Sequence, residues 1–277
     1  MFFCEKCIEF ILFLCYNNQW AAWPPSFCCL FQGQPRRAGP AKYTEKGIEK
    51  ALRTLSPVVV GKRIVVYCAG LFIMALGVSL SVLSNLGVSP MSSIPYVMSQ
   101  IVPSISMGSF TTGLFCCYVA IQAVLLGSKF HPVRLLQILG SFLFGWFVDI
   151  TNWLTGLILS QPQSYLLQLF WLAVGMLCVA MGILLYIAPM LPMLPGEGVM
   201  QVISDKFHIP LHWANMGFDI TVTVIALALS LGFFHGLNGL REGTILAALG
   251  VGKCLGVFVK LWQPHLDRFI GKEKAAA

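Results

Sequence analysis

Long apolar runs dominate this chain from residue 64 onward, at 64–83, 109–126, 135–158, 165–188, 211–234 and 244–262. Crossing ~30 Å of hydrocarbon takes about 20 residues at about 1.5 Å each, so the pattern predicts six membrane-spanning helices. The first, second and fourth runs carry no charge, the third only Asp149, the fifth only Asp219, and the sixth Lys253 and Lys260. Two stretches break the pattern, Ser84 to Gly108 and Pro189 to Pro210. Both are interrupted by Gly and Pro yet remain too apolar for water-exposed loops, which predicts a short broken or re-entrant helix in each.

Composition agrees. Of 277 residues, 57% are apolar and 10% charged, against roughly 25% charged in soluble domains, so lipid is the solvent for most of the chain. The net charge of +7 would suit nucleic acid, but nine of the eighteen Lys and Arg residues lie before residue 64; that is an orientation signal, and no nucleic-acid partner is expected. The basic loops at Lys129 and Arg134 and at Lys206, together with both chain ends, fall on one face, and the opposite face has only Arg241. Short basic loops resist translocation, which predicts that both termini are cytoplasmic. Residues 1–63 read as a polar, basic cytoplasmic tail, disordered or a start-site artefact, and residues 263–277 as a C-terminal cytoplasmic tail. The ten cysteines are scattered, with no disulfide framework and at best half a zinc site in Cys4-x-x-Cys7.

A shift of 105 residues lays Gly70–Ser99 on Gly175–Ser204 without a gap, matching Gly70 to Gly175, Gly77 to Gly182, Pro90 to Pro195 and Ser99 to Ser204. A slightly different shift relates Ser141, Gly145, Phe147 and Val148 to Gly252, Gly256, Phe258 and Val259. Both members of that second pair carry small residues four apart, which let helix backbones approach closely in lipid. Three spans per unit is an odd number, so the second copy starts on the opposite face. The expected fold is an all-α polytopic membrane protein with two inverted three-helix repeats, 64–158 and 165–262, each with a broken helix after its first span.

The run GLFIMALGVSLSVLSNLGVSPMSSIPYVMS at Gly70–Ser99, followed by KFHPVRLLQILGSFLFGWFVD at Lys129–Asp149, resembles bacterial membrane proteins of the YczE and YitT type. The likeness spans residues 64–262 and omits the tail. It implies this fold and the bacterial cytoplasmic (inner) membrane, and supplies no substrate.

Candidate chemistry lies where the pattern breaks. Asn85, Ser89, Ser92 and Ser93 surround Pro90, where hydroxyls can cap free amides at a helix start; Gly196, Glu197 and Gly198 follow Pro195 in the second unit. Two opposed helix N-termini would favour an anion or carboxylate, while Glu197 could neutralise them, bind a cation or carry a proton. Asp149, Asp219 and Lys253 sit near the middle of their spans. An ionised group there costs at least ~3 kcal/mol and normally faces the bundle interior, either as a coupling group or as a structural pair of Lys253 with one aspartate. His208 and His212 flank Pro210, which breaks the single face a metal pair would need, so no metal is expected. No Walker loop, H-E-x-x-H or G-x-S-x-G motif occurs, and neither an enzyme nor a cofactor is expected. The reading is a secondary transporter or permease for a small solute or ion, with its site between the repeats. The alternative is a non-transporting membrane scaffold or accessory protein. A second copy of the chain is a candidate partner besides lipid.

Overall fold

The structure is a computed structural model that describes residues 57–234 and 241–269. Expectations for the first 56 residues, for 235–240 and for 270–277 fall outside the described residues.

In chain order the helices are α1 (Pro57–Ser84), α2 (Pro90–Ile101), α3 (Met107–Leu126), α4 (Leu136–Ile158), α5 (Tyr165–Ile187), α6 (Pro195–Phe207), α7 (Leu211–Phe234) and α8 (Glu242–Phe269), with 3-10 turns at Gly127–Lys129 and Pro132–Leu135 between α3 and α4. The described residues contain no strand. Six of the helices, α1, α3, α4, α5, α7 and α8, are long and apolar enough to cross a membrane. Each coincides with a predicted run. The differences are at ends: α1 starts earlier than residue 64 and carries Lys62 and Arg63, and α8 continues through Pro264 to Phe269.

The two short helices begin at Pro90 and Pro195, where a proline's missing N–H and fixed φ cost a helix nothing. What precedes them matches too. Asn85 (φ 55°) ends α1 and Met190 (φ 57°) follows α5, both left-handed. In each case the amide bonds back three residues, Asn85 N–H to the Val82 carbonyl at 3.2 Å and Met190 N–H to the Ile187 carbonyl at 3.1 Å. These residues stand 105 apart, so a similar backbone turn occurs at both ends of the 105-residue offset.

α1 and α5 form the central crossing. A methyl group added at Gly70 would meet Tyr186 and Leu185, and one at Gly175 would meet Ser81; one at Gly77 would meet Val179, and one at Gly182 would meet Met74. Each contact becomes the other of its pair when residues are exchanged at the 105 offset. Ala75 and Ala180, also a matched pair, lie at the middle of the crossing and are wholly buried. The core spreads from this seam through Leu71, Phe115, Phe144, Val148, Tyr186 and Leu194, while the outward faces carry large apolar side chains such as Trp146, Trp153, Leu166 and Phe170.

Candidate functional site

α1 runs nine residues past Ala75 and α5 seven past Ala180, or about 13 and 10 Å at about 1.5 Å per residue. The chain then turns back at either end, and the first turns of α2 and α6 meet. The Met91 thioether lies against Gly196, close enough that a methyl group there would strike its Sδ and Cε. The two helices leave from opposite ends of the α1–α5 crossing, so this contact brings their N-termini head to head near its middle.

The serines predicted at this point behave differently from expectation. Ser93, wholly buried, donates to the Pro90 carbonyl at 2.6 Å, and the Ser89 hydroxyl donates to that of Ser92 at 3.3 Å. Ser89 occupies the N-cap position without a side-chain cap bond. The hydroxyls are spent inside the turn rather than on free amides. Asn85 is exposed, and its left-handed φ, which Asn tolerates better than most residues, makes it the terminator of α1 rather than a site residue.

Gly198 packs on Gln122, with the amide nitrogen 2.8 Å from where a Cβ would stand. Gln122 is 0% exposed. Its Nε2 donates to Gln137 Oε1 at 3.0 Å and to the Pro195 carbonyl at 3.2 Å, and its Oε1 accepts from Arg134 Nη1 at 2.8 Å. This node ties the start of α6 to α3 and to the entry of α4. Its sequence signal was a lone glutamine in a charge-free span.

Glu197 stands in the first turn of α6. Its carboxyl turns back toward its own amide, with the Tyr186 hydroxyl within reach; its Oε2 is fully covered and makes no hydrogen bond. Asp219, half-buried on α7, acts electrostatically on both the Glu197 carboxyl and the Tyr118 hydroxyl. Tyr118 is buried, its hydroxyl makes no hydrogen bond, and the Phe218 ring meets it edge-on at 5.2 Å. Neither acid forms an ion pair among the described residues; Arg241 pairs with Glu242 at 3.6 Å. Sequence reading singled out both acids but neither tyrosine.

The expected trio of central charges does not assemble. Asp149 accepts from the Ser106 hydroxyl at 2.7 Å and from the Gly108 amide at 2.8 Å. It thus caps α3, satisfying an amide that the helix leaves free. Lys253 is exposed on α8 and pairs with neither aspartate. Its azimuth on α8 turns it out of the bundle. The described residues hold no group of three or more His, Cys, Asp or Glu able to grip a metal.

The expected anion site changes character with this geometry. Met91 fills the space between the two helix starts, and the Glu197 carboxyl already occupies the first turn at the positive end of α6. What remain unsatisfied are a carboxyl oxygen of Glu197 and the phenol of Tyr118, each within electrostatic range of Asp219, groups suited to a proton or a cation.

A model of a family of unknown function, DUF6198, matches residues 61–260. The chain belongs to this family. The match runs from α1 into α8, so it contains every group just described. Among similar proteins, the uncharacterized membrane protein YczE of Bacillus subtilis is 26% identical over 193 residues, covering 68% of this chain and 81% of that protein. An uncharacterized protein of Haemophilus influenzae is 28% identical over 210 residues, covering 74% and 88%. No solved structure matches. The resemblance to YczE-type proteins is thereby shown, and with six apolar helices the chain is a multi-pass membrane protein.

Proposed function

We propose that this protein is a secondary transporter for a small solute or ion, built as two inverted three-helix repeats in the bacterial inner membrane. Both termini face the cytoplasm, and Glu197 and Asp219 exchange the coupling proton or cation. The matched glycine contacts of α1 and α5 and the paired left-handed residues Asn85 and Met190 support the inverted repeat. Lys62, Arg63, Arg134, Lys206 and Arg268 support the orientation, since they gather at the end where α1 begins while Arg241 lies at the other. Interrupted backbone at membrane depth has to be lined by protein or water, and such interruptions at a repeat interface are the usual home of a transported ion.

The observation that carries the reading is the meeting of two broken helix starts at Met91 and Gly196, beside a covered carboxyl with an unused acceptor. Glu197→Gln and Asp219→Asn keep shape and remove charge. In proteoliposomes with a pH-sensitive dye inside, the native protein is expected to pass protons or exchange them for an added cation under an imposed gradient, and either variant is expected to lose that coupling. Native and variant traces that both coincide with those of empty vesicles across a panel of alkali cations, ammonium compounds and amino acids would reject transport through this pair.

A further inference from the structure

The two halves match in backbone turns but not in ionisable groups. At the 105 offset Glu197 corresponds to Ser92, and Tyr186 to Ser81. The hydroxyls of the first half are used locally: Ser92 accepts from Ser89 at 3.3 Å, and Ser81 donates to the Gly77 carbonyl at 3.0 Å. The same positions of the second half carry a carboxyl with a covered, unbonded Oε2 and a phenol within its reach. One half has become ionisable where the other stayed neutral.

Tyr118 adds a second group with capacity to spare. It stands four residues before Gln122 on α3, about one helical turn, and so shares the face on which Gly198 and the start of α6 rest. The residue is 6% exposed, and its hydroxyl makes no hydrogen bond. Asp219, half-buried on α7, lies within electrostatic range of both Tyr118 and Glu197. α6 packs on α3, α7 and α4. From these and from α5, the titratable groups on the Glu197 side are Tyr118, Asp219 and Tyr186. Arg134, ahead of α4, donates to Gln122, and Asp149 caps α3. Asp205 and Lys206, on α6 itself, are exposed at its other end.

This setting separates a proton from a metal cation. A metal ion would carry its full charge between the converging positive ends of α2 and α6. The group nearest their contact is the Met91 thioether, whereas a hard cation takes several oxygen ligands. A proton leaves no such charge. Bound to the carboxyl, it gives the neutral acid that burial favours, and its O–H needs one acceptor, which a phenol oxygen supplies.

We infer that Glu197 is a proton-selective site that takes one exchangeable proton per chain and excludes metal cations, with the Tyr118 hydroxyl as a positioning group for the protonated carboxyl. On binding, an O–H bond forms at Oε2 and the carboxylate charge is lost. On release, that bond breaks and the proton passes to the Asp219 carboxylate, which is neutralised in turn. The inference narrows the ion of the transport reading and rests on it for the choice of site, but its test measures binding and no flux.

The protein in liposomes is followed by infrared difference spectroscopy as the pH is raised. The native chain is expected to show the carbonyl stretch of a protonated carboxylic acid, to shift that band in heavy water, and to exchange it reversibly for a carboxylate band at high pH. Glu197→Gln should lose the band and Asp149→Asn should keep it. Glu197→Asp should shift it without removing it, which covers the case in which the glutamine disturbs folding. Sodium, potassium or lithium at fixed pH should leave it unchanged. Tyr118→Phe keeps the ring that meets Phe218 and should move the band to higher frequency, which loss of packing alone would not do. A band that is absent from the native chain, that survives Glu197→Gln, or that never titrates while the protein stays folded would overturn the exchangeable site. Alkali cations that expel the proton at fixed pH would overturn the selectivity, and an unmoved band in Tyr118→Phe would overturn the role of the phenol. A chain that behaves as expected here yet gives no dye response in proteoliposomes would refute transport and leave the proton site standing.

Discussion

Adding one methyl group at Gly77 tests whether the α1–α5 crossing holds the fold together. A Cβ there would stand 2.6 Å from the Val179 amide nitrogen and 2.7 Å from the Gly175 carbonyl oxygen. Both are backbone atoms, so no rotamer change relieves the clash and α5 has to back away by roughly 1 Å to reach ordinary contact. Overpacking of this kind costs typically about 1–3 kcal/mol. The relevant control is Gly113→Ala on α3, where nothing lies within 4 Å. Both substitutions gain the same helix propensity, about 1 kcal/mol over glycine, so the difference between them isolates the packing cost. At about 2–4 °C per kcal/mol for a domain of this size, Gly77→Ala should melt roughly 2–12 °C below Gly113→Ala. The assay is thermal unfolding in detergent, followed by a thiol-reactive fluorophore that reports release of the half-buried Cys68 and Cys178 on the two crossing helices. The matched position gives a second constraint. A Cβ at Gly182 would stand 2.5 Å from the Met74 amide nitrogen, so Gly182→Ala should lose about as much as Gly77→Ala. The double variant should lose less than the sum, because the two residues share one seam. If Gly77→Ala melts together with Gly113→Ala, the crossing is not tight. If Gly77→Ala and Gly182→Ala differ widely, the seam is not symmetric.

Other substitutions separate structural polar groups from the candidate site. Asp149→Asn keeps an acceptor for the Gly108 amide and should be nearly neutral, whereas Asp149→Leu strips the α3 cap and should cost about 1–3 kcal/mol in the same melting assay; equal stability of the two would refute the capping role. Gln122→Leu removes the donor to the Pro195 carbonyl and to Gln137, and should lower stability by about 1–3 kcal/mol, with a loosened α6 visible as faster hydrogen exchange at Gly198 and Val199. Unchanged exchange there would remove the node from the account. Lys253→Leu should be at least as stable as the native protein, because an exposed ammonium near mid-span costs about 3 kcal/mol on insertion scales; a clear drop in melting temperature would mean that Lys253 has a partner after all.

The spans were legible because lipid permits few alternatives: a backbone that must satisfy itself becomes a helix, and the length of each apolar run measures the crossing. The broken helices were legible through Pro90 and Pro195, and the central seam through glycines recurring at one offset. Sequence could not assign partners. Position along a span gives depth but no azimuth, so Asp149, Asp219 and Lys253 looked like one cluster, although Asp149 caps α3, Asp219 lies within electrostatic range of Tyr118 and Glu197, and Lys253 is exposed. Asn85 was grouped with the serines because polarity in an apolar segment suggests a ligand, yet its left-handed backbone is reason enough for its presence.

These cases share a criterion. A polar group in a membrane protein is retained for structure when all its bonds are used within the fold, as in Gln122, Ser93 and Asp149. A group kept buried with bonding capacity to spare carries a cost of about 1–3 kcal/mol, and the fold itself draws nothing from it. By that measure Glu197 and Tyr118, each with a covered oxygen that makes no hydrogen bond and each within electrostatic range of Asp219, differ from Gln122, Ser93 and Asp149. A proton or cation bound there would offset that cost, which is the role proposed for the Glu197 carboxyl.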